Sequence, residues 1–199
     1  MQGSFLKRST PSKVGNDLNE AGLLELLRSE DPAGMRLFYE RYAGFLTAVC
    51  SRYVPDTADV KDILQDSFVK IFRNAGRFEY RGEGSLKAWA SKIVVNASLK
   101  ALAASSRLKF VDDLPDVAED DEDLPALPDI PPQVLQSLIR ELPDGYRTVF
   151  NLYVFEKKSH REIAGLLGIK EDSSASQFFR ARALLAKNIK LWMKEHGNE

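Results

Sequence analysis

The sequence has little of the chemistry that supports disulfides, metal sites or membrane insertion. Cys50 is the single cysteine among the 199 residues, so no internal disulfide can form. The two histidines, His160 and His196, are far apart and have no cysteine cluster, so a zinc site is not expected. No apolar run is long enough to span a bilayer, and the first residues lack the apolar centre of a signal peptide. We therefore expect a cytoplasmic protein without membrane insertion, metal or cofactor.

A net excess of one charge is also lacking, since 28 basic residues stand against 29 acidic ones. The distribution along the chain is uneven. Residues 81–109 carry six basic side chains and one acidic one, whereas residues 112–129 carry nine acidic side chains and no basic one. A protein that bound DNA over its whole surface would be basic throughout. Blocks of opposite charge instead indicate separate tasks for separate segments.

Helical periodicity runs through the apolar residues, and no segment is typical of a β-strand. We predict a disordered polar tail at 1–16, a first helical domain at 17–110, an acidic flexible linker at 111–131 and a second helical domain at 132–199. The linker combines its acidic residues with four prolines and cannot bury enough apolar surface to order itself. The predicted fold class is therefore all-α, with two domains, and the second domain is expected to contain four helices.

Residues 159–192 have the pattern of a helix-turn-helix. Ser159 and Glu162 have the spacing of a capping box, and an apolar helical face follows them. Gly168 suits the left-handed turn that ends such a helix. A helix-turn-helix can place its second helix in the major groove of DNA, although an ordinary helical hairpin with a solvated polar face has the same pattern.

The second helix of this motif is expected to begin at a cap formed by Asp172 or Ser173. Its apolar face is predicted to consist of Phe178, Ala181, Leu185 and Trp192. Polar side chains are predicted on the other faces, and these are Ser176, Gln177, Arg180 and Lys187. Such polar positions are the ones that would reach DNA.

An acidic face is predicted on the helix that begins near residue 57. Asp59, Asp62 and Asp66 follow one another along it, with Gln65 beside them and Ile63 next to the face. A solvated acidic surface explains this pattern, and so does a docking surface for a basic partner helix with Ile63 as its apolar anchor. Catalytic carboxylates are the least favoured interpretation, because no base or ligand histidine accompanies them.

A loop at residues 77–85 precedes a helix with a basic face. Ser85 is expected to cap that helix. The predicted inward residues are Leu86, Trp89, Ile93, Val94 and Ala97, and the opposite face carries Lys87, Lys92, Asn96 and Lys100. Aromatic rings beside cations are typical of sites for single-stranded nucleic acid, because bases stack on rings while cations follow the phosphates. The alternative is that Phe78 and Trp89 belong to the core and the lysines are solvated.

Together these segments resemble the extracytoplasmic-function sigma factors, small two-domain promoter-recognition subunits of bacterial RNA polymerase. The resemblance covers roughly residues 30–107 and 132–190. It is carried by residues 62–68 (DILQDSF), 78–85, 89–96 (WASKIVVN), 142–150 (LPDGYRTVF), 159–164 (SHREIA) and 178–185 (FFRARALL). Many helix-turn-helix regulators share the last segments, so the block from 62 to 96 makes the match specific.

The resemblance implies core RNA polymerase and promoter DNA as partners, an anti-sigma factor as a further partner, and no catalysis by the chain itself. The polymerase-binding residues it implies are Asp59, Asp62, Ile63, Gln65 and Asp66. Contacts to the −10 element are implied for Phe78, Tyr80, Arg81, Ser85, Lys92, Asn96 and Lys100. Contacts to the −35 element are implied for Arg161, Ser173, Ser176, Gln177, Arg180 and Arg182. The acidic linker is similar to the connector that runs through the polymerase near its RNA channel.

The recognition helix departs from the family pattern. Ala175 and Phe179 stand where relatives often have a lysine and a small polar residue, and residues 99–106 are less basic than usual. Phe179 is therefore also a candidate for a protein contact. Two other function classes stay open at this point: a stand-alone helix-turn-helix regulator of transcription, and a helical adaptor that binds proteins only.

Overall fold

The structure, a computed structural model, describes residues 18–105 and 130–196. Within these residues it consists of α-helices, one short 3₁₀ turn and loops, with no strand. The all-α prediction is therefore confirmed. The predicted tail at 1–16 and nearly all of the predicted linker at 111–131 lie outside the described residues. No helix in the two described ranges combines the length and the apolar character needed to cross a membrane.

Eight helices are present in the part of the chain that the structure describes. In the first domain they are α1 (Glu20–Arg28), α2 (Pro32–Ser51), α3 (Thr57–Asn74) and α4 (Ser85–Ala104), with the 3₁₀ turn Ala75–Arg77 after α3. In the second domain they are α5 (Pro132–Arg140), α6 (Asp144–Val154), α7 (His160–Leu167) and α8 (Glu171–His196). The expected four-helix second domain is thus observed.

Local signals fix the starts of α2 and α3. The Asp31 carboxylate accepts a hydrogen bond from the Ala33 amide, and Pro32 occupies the first turn of α2, where its missing N–H is not needed. The Asp56 carboxylate caps α3 by accepting from the amides of Ala58 and Asp59. Both starts follow directly from the sequence.

The start of α4 differs from the prediction, because Ser85 is not its cap. Ser85 is the first residue of the helix and follows Gly84, whose φ of 86° lies in the left-handed region that glycine tolerates. The Ser85 hydroxyl donates to the Gly82 carbonyl over 2.6 Å and so braces the preceding loop. Ser85 therefore shapes the loop instead of satisfying the first amides of α4.

The cap of α4 is Glu20, a residue of α1 that is 2% exposed. Its carboxylate accepts hydrogen bonds from the amides of Leu86 over 3.2 Å and of Lys87 over 3.3 Å. The Tyr42 hydroxyl donates to the same carboxylate over 2.8 Å. A negative charge at a helix N-terminus is favourable, so one buried side chain joins α1, α2 and α4.

Replacing Glu20 by alanine is expected to lower the free energy of unfolding by about 3 kcal/mol, since two buried donors and one part-buried donor lose their acceptor and a buried donor without an acceptor costs about 1–3 kcal/mol. Thermal unfolding should show a midpoint lower by several degrees. Glu25→Ala is the matched control, because Glu25 is an exposed acid of the same helix. If the two variants melt together, Glu20 does not hold the three helices.

α4 is also rotated relative to its predicted orientation. Its buried residues include Ala90, Val95 and Ser98, whereas Trp89 and Ile93 are only half-buried. The small side chains let α4 approach α2, where the Ser98 hydroxyl lies 3.4 Å from the Cys50 sulfur. Cys50 is fully buried as predicted. The rotation turns Trp89 and Ile93 toward a groove that is described below.

The two predicted domains pack against each other. Val149, Leu152 and Ile163 of the second domain are fully buried within the apolar cluster that forms the core of the first domain. A second cluster joins α5, α6 and α8 through residues such as Leu138 and Leu185. The division by charge along the sequence therefore does not correspond to two separate cores.

Candidate functional surfaces

One exposed face of α3 carries most of the predicted polymerase-binding residues. Asp62, Gln65 and Asp66 are exposed, and Asp59 is half-buried at the start of this face. Ile63 does not have its predicted position on this exposed face. It is only 9% exposed and packs in the core, because it shares the inward side of α3 with Leu64. Ile63 is therefore not an exposed anchor.

An apolar groove of about 720 Å³ lies beside this face, between α2 and α3. Gln65 lines it, and so does Val69, which is 43% exposed and one helical turn further along. Tyr39 on α2 is 56% exposed and lies over Phe68, with ring centroids 5.1 Å apart. A polar edge and an apolar floor thus form one continuous surface.

Sequence reasoning missed Tyr39 and Val69. A signal was present, because each immediately follows a member of a core stripe, Phe38 or Phe68, and so lies about 100° away around its helix. Sequence alone does not tell whether another element covers such a position. In the structure both side chains are exposed.

A second groove, of about 470 Å³, lies between α3 and α4. It brings together Phe78, Asn96 and Lys100 of the predicted −10 set. The other residues that line it are Lys70, Asn74, Arg77, Trp89, Ile93 and Ala97. All three ionisable side chains of the lining are basic and none is acidic, which favours a phosphate-bearing ligand.

Stacked aromatic rings form one wall of this second groove. Phe78 and Trp89 have ring centroids 4.7 Å apart and an angle of 26° between their planes. The Arg28 guanidinium donates to the Phe78 carbonyl over 2.8 Å, which holds the loop residue in place. Both rings are half-buried, so the structure combines the two alternatives from the sequence: the rings pack on the core and also face the groove.

Other residues of the predicted −10 set lie outside the lining of this groove. Arg81 is exposed and pairs with Glu79 over 3.3 Å. Tyr80 donates to Glu83 over 3.4 Å, and desolvation together with this carboxylate raises the pKa of Tyr80. Lys92 is exposed on α4. These side chains form a rim next to the groove.

The helix-turn-helix forms as predicted. The Glu162 amide donates to the Ser159 hydroxyl over 3.3 Å, and the Ser159 amide donates to the Glu162 carboxylate over 2.8 Å. The Ser159 hydroxyl also donates to the Glu162 carboxylate over 2.8 Å, and the two hydrogen bonds that Ser159 donates to this carboxylate lower the pKa of Glu162. Gly168 ends α7 with a φ of 68°, in the left-handed region. α8 begins at Glu171, so Asp172 and Ser173 lie in its first turn and are not its cap.

Two features of α8 differ from the sequence prediction. Gln177 is 2% exposed, so it does not lie on the solvent face as predicted. The inward stripe is Ser174, Gln177, Ala181, Leu185 and Ile189, and Trp192 stacks on His196 instead of joining the core. The Ser174 hydroxyl lies 3.0 Å from the His160 ring nitrogen Nδ1, and this side of α8 packs against α7.

The solvent face of α8 retains the other predicted −35 residues. Ser176 and Arg182 are exposed, Ser173 and Arg180 are half-buried, and Arg161 is exposed on α7. Phe179 lies between Ser176 and Arg182 along this face and is 47% exposed. Polar, apolar and basic groups are therefore available at one side of the recognition helix.

Comparison with known proteins shows to which family the two helical domains are similar. Residues 38–108 match the family described as Sigma-70 region 2, and residues 133–185 match Sigma-70, region 4. The ECF RNA polymerase sigma-E factor of Salmonella typhimurium is 28% identical over 188 residues, covering 88% of this chain and 97% of that protein. The Haemophilus influenzae protein of the same name is 26% identical over 190 residues, with 88% and 98% coverage.

A solved structure of CnrH in complex with the cytosolic domain of CnrY is also similar, at 20% sequence identity and a TM-score of 0.45, with 85% of this chain and 96% of that chain covered. The two sigma-70 regions together cover most of both domains. The chain belongs to the sigma-70 family of promoter-recognition subunits of bacterial RNA polymerase. Within that family it is an extracytoplasmic-function sigma factor, which directs promoter-specific initiation of transcription.

Proposed function

We propose that three surfaces of this sigma factor divide its task. The exposed face of α3 and the α2–α3 groove bind core polymerase. The α3–α4 groove holds the melted −10 element, and the solvent face of α8 reads the −35 element. The juxtaposition of Phe78, Trp89, Asn96 and Lys100 in one basic groove is the observation that carries this division.

The docking surface suits a helical partner with basic and apolar side chains. An amphipathic helix binds by placing its apolar face in a groove, and Tyr39 and Val69 offer contacts for that face. Asp62 and Asp66 are positioned beside the groove for basic side chains of the same helix. Docking on the polymerase clamp helices is therefore our proposal for this surface.

The α3–α4 groove suits unpaired bases better than a duplex. A base that leaves the stack presents its face to aromatic rings and its edge to hydrogen-bonding groups. The Phe78–Trp89 pair supplies the rings, and the exposed Asn96 amide supplies both a donor and an acceptor. Lys70, Arg77 and Lys100 supply cations for the adjoining phosphates. Arg81, Lys92 and Tyr80 are proposed to extend this contact along the rim.

The α8 surface suits duplex DNA. Ser176 can contact a base edge, Phe179 can contact a thymine methyl group, and arginines can contact phosphates or guanine. Arg161, Ser173, Arg180 and Arg182 are proposed as the accompanying contacts. Gln177 is left out of this set, because its side chain is buried.

We further propose that the chain itself catalyses nothing and that the polymerase supplies the chemistry. We also propose an anti-sigma factor as a partner, because the chain belongs to this family. We propose a cytoplasmic location, because the protein would act together with the polymerase. Two other hypotheses, a stand-alone regulator and an adaptor, can be distinguished from a sigma factor by whether the protein binds core enzyme and allows it to initiate at specific promoters.

Capture of core polymerase followed by run-off transcription tests the proposal. The full chain should bind core polymerase and allow it to initiate at specific promoters on a genomic fragment library. A regulator would bind duplex DNA without conferring initiation on core enzyme. An adaptor would bind protein partners without binding DNA. Either result would overturn the proposed function.

Replacing Arg182 by alanine is expected to weaken binding to −35 DNA on all sequences alike, because a lost phosphate contact carries no sequence information. The slope of log affinity against log salt concentration should become shallower by about 1. Lys194→Ala, which removes an exposed cation near the end of α8, is the matched control. A slope equal to that of the control would place Arg182 outside the DNA interface.

A further inference from the structure

α1 contacts the loop that precedes α4 at both ends of that loop. The Arg28 guanidinium, in the last turn of α1, donates from Nη2 to the Phe78 carbonyl over 2.8 Å. The buried Glu20 carboxylate, in the first turn, accepts from the two amides at 86–87, where α4 begins. One short helix therefore holds the start and the end of residues 78–85. We call these two contacts the brace.

The tip of this loop is held by contacts within the loop itself. The Ser85 hydroxyl donates to the Gly82 carbonyl over 2.6 Å and accepts from the Arg81 amide over 3.3 Å. The Tyr80 hydroxyl donates to the Glu83 carboxylate over 3.4 Å. Local contacts thus set the shape of the tip, whereas the placement of the loop against the helices depends on the two ends that the brace holds.

Phe78 connects the brace with the α3–α4 groove. Its ring stacks on Trp89, with 4.7 Å between the ring centroids, and both side chains line the groove. The Phe78 amide donates to the Ala75 carbonyl over 3.2 Å, so this turn and Arg28 fix the peptide groups on both sides of its Cα. Because the allowed rotamers of a side chain depend on its backbone, the Arg28 hydrogen bond also restricts where the Phe78 ring lies.

Arg28 is itself oriented by α1. Its Nη1 donates to the Glu25 carboxylate over 2.7 Å, one turn earlier on the same helix. The planar fork of a guanidinium can bond a carboxylate and a carbonyl at once, whereas a lysine ammonium has no such fork. The two side chains are 36% and 69% exposed, so their ion pair contributes little to stability. Removal of Arg28 should therefore leave the fold intact while it releases the Phe78 carbonyl.

The position of Arg28 argues against a direct contact with DNA. The residues that line the α3–α4 groove do not include Arg28. Both terminal nitrogens of its guanidinium already have acceptors within the protein. α1 also lies before residues 38–108, which match Sigma-70 region 2, so that match assigns α1 no part in promoter binding. An effect of Arg28 on a bound strand would therefore pass through Phe78.

We propose that Arg28 is a positioning residue for the −10 strand: it holds the Phe78 carbonyl and so keeps the Phe78 ring stacked on Trp89, ready for an unpaired base. This inference rests on the proposed function, because it takes the α3–α4 groove as the site of the melted −10 element. Arg28→Ala should reduce formation of the open promoter complex by about threefold to tenfold, the cost of ordering one more side chain on binding. Binding of holoenzyme to duplex DNA should change little.

Fluorescence of Trp89 in the free full chain tests whether Arg28 holds the stack. The chain has two tryptophans, so Trp192→Phe on α8 leaves Trp89 as the sole emitter. Phe78→Ala in this background shows how strongly acrylamide quenches Trp89 once the stacked ring is gone. In Arg28→Ala the quenching constant should rise from the value of the parent toward that of Phe78→Ala. An unchanged constant in Arg28→Ala would overturn the proposal.

Three further variants complete the quenching measurement. Arg28→Lys should recover part of the protection, because it keeps a donor for the Phe78 carbonyl but lacks the fork. Glu25→Ala should produce a smaller change in the same direction as Arg28→Ala, and it decides if circular dichroism shows Arg28→Ala unfolded. Arg36→Ala removes an exposed arginine from α2 and is the matched control, which should quench like the parent. An equal change in the control would overturn the proposal.

Promoter opening tests whether Arg28 acts through the ring. Permanganate reactivity should fall in Arg28→Ala and in Phe78→Ala, and the double variant should be no worse than Phe78→Ala, because residues that act through one group are not additive. The slope of log affinity against log salt concentration should equal that of the parent, whereas a lost phosphate contact would make it shallower by about 1. Additive losses or a shallower slope would indicate a direct DNA contact and would overturn the positioning role.

The positioning role and the proposed function can fail separately. The quenching measurement contains neither DNA nor polymerase, so it tests only the hold of Arg28 on the stacked rings. Increased quenching in Arg28→Ala, together with failure of the parent in run-off transcription, would support that hold and overturn the proposed function. Specific initiation by the parent that is undiminished in Arg28→Ala would support the proposed function and overturn the positioning role.

Discussion

Replacing Asp62 and Gln65 together by alanine is expected to lower the affinity of the sigma factor for core RNA polymerase by roughly tenfold to a hundredfold. Both side chains are exposed on the same face of α3, and Gln65 also lines the α2–α3 groove. A central interface residue contributes on the order of 1–2 kcal/mol when truncated, and about 1.4 kcal/mol corresponds to a tenfold change. Titration of labelled protein with core enzyme measures the effect.

The fold should survive this double substitution. Exposed residues away from caps and buried networks change stability by about 0.5 kcal/mol or less. Gln136→Ala with Glu195→Ala is the matched control, because it removes one amide and one carboxylate from exposed positions of α5 and α8. Thermal unfolding of both variants should coincide with that of the parent protein.

The result also distinguishes the two interpretations of the acidic face. A solvated surface without a partner would leave polymerase binding unchanged in both variants, and that outcome would reject the docking proposal. A loss confined to Asp62→Ala with Gln65→Ala would support it. Val69→Ala would then measure how much the apolar groove contributes to the affinity for core polymerase, since Val69 is exposed beside the same groove.

Replacing Asn96 by alanine is expected to reduce formation of the open promoter complex by roughly tenfold, while binding of holoenzyme to duplex DNA changes little. Asn96 is exposed and lines the groove next to the stacked rings of Phe78 and Trp89. A base contact of this kind contributes about 1–3 kcal/mol of discrimination, and it is available only once the base has left the stack. The substitution should therefore act on melting.

Permanganate reactivity of thymines in the −10 element measures melting, and gel retardation at low temperature measures duplex binding. Gln133→Ala is the matched control, because it removes an exposed amide from the second domain. Normal permanganate reactivity in Asn96→Ala would contradict the assignment of this groove to the −10 strand. Equal losses of duplex binding and melting would instead indicate a contact made in double-stranded DNA.

Local signals in the sequence were sufficient for several elements. The capping box of Ser159 and Glu162 and the left-handed Gly168 determine α7 and its end through contacts within a few residues. Asp31 and Pro32 start α2 for the same reason. The exposure of Asp62, Asp66 and Lys100 also agrees with the charge pattern, because ionised side chains are costly to bury without partners.

Rotations of helices were not predictable to one residue. In α4 the prediction placed Trp89 and Ile93 inward, whereas Ala90 and Ser98 are the fully buried side chains and the Ser98 hydroxyl contacts Cys50 of α2. In α8 the buried stripe includes Gln177, which the sequence pattern assigned to the outside. A periodic pattern predicts that a helix has an apolar face, but the width and exact direction of that face depend on the helices that pack against it.

The sequence by itself determined the helices, the helix-turn-helix and the segregation of acidic from basic segments, because these depend on residues that are neighbours along the chain. Only the tertiary structure decided that Glu20 caps α4, that Phe78 and Asn96 share a groove with Lys70, and that the Arg147 guanidinium donates to the Tyr53 carbonyl of the first domain. Each of these contacts joins residues far apart in sequence, and which partners meet is set by the packing of whole helices.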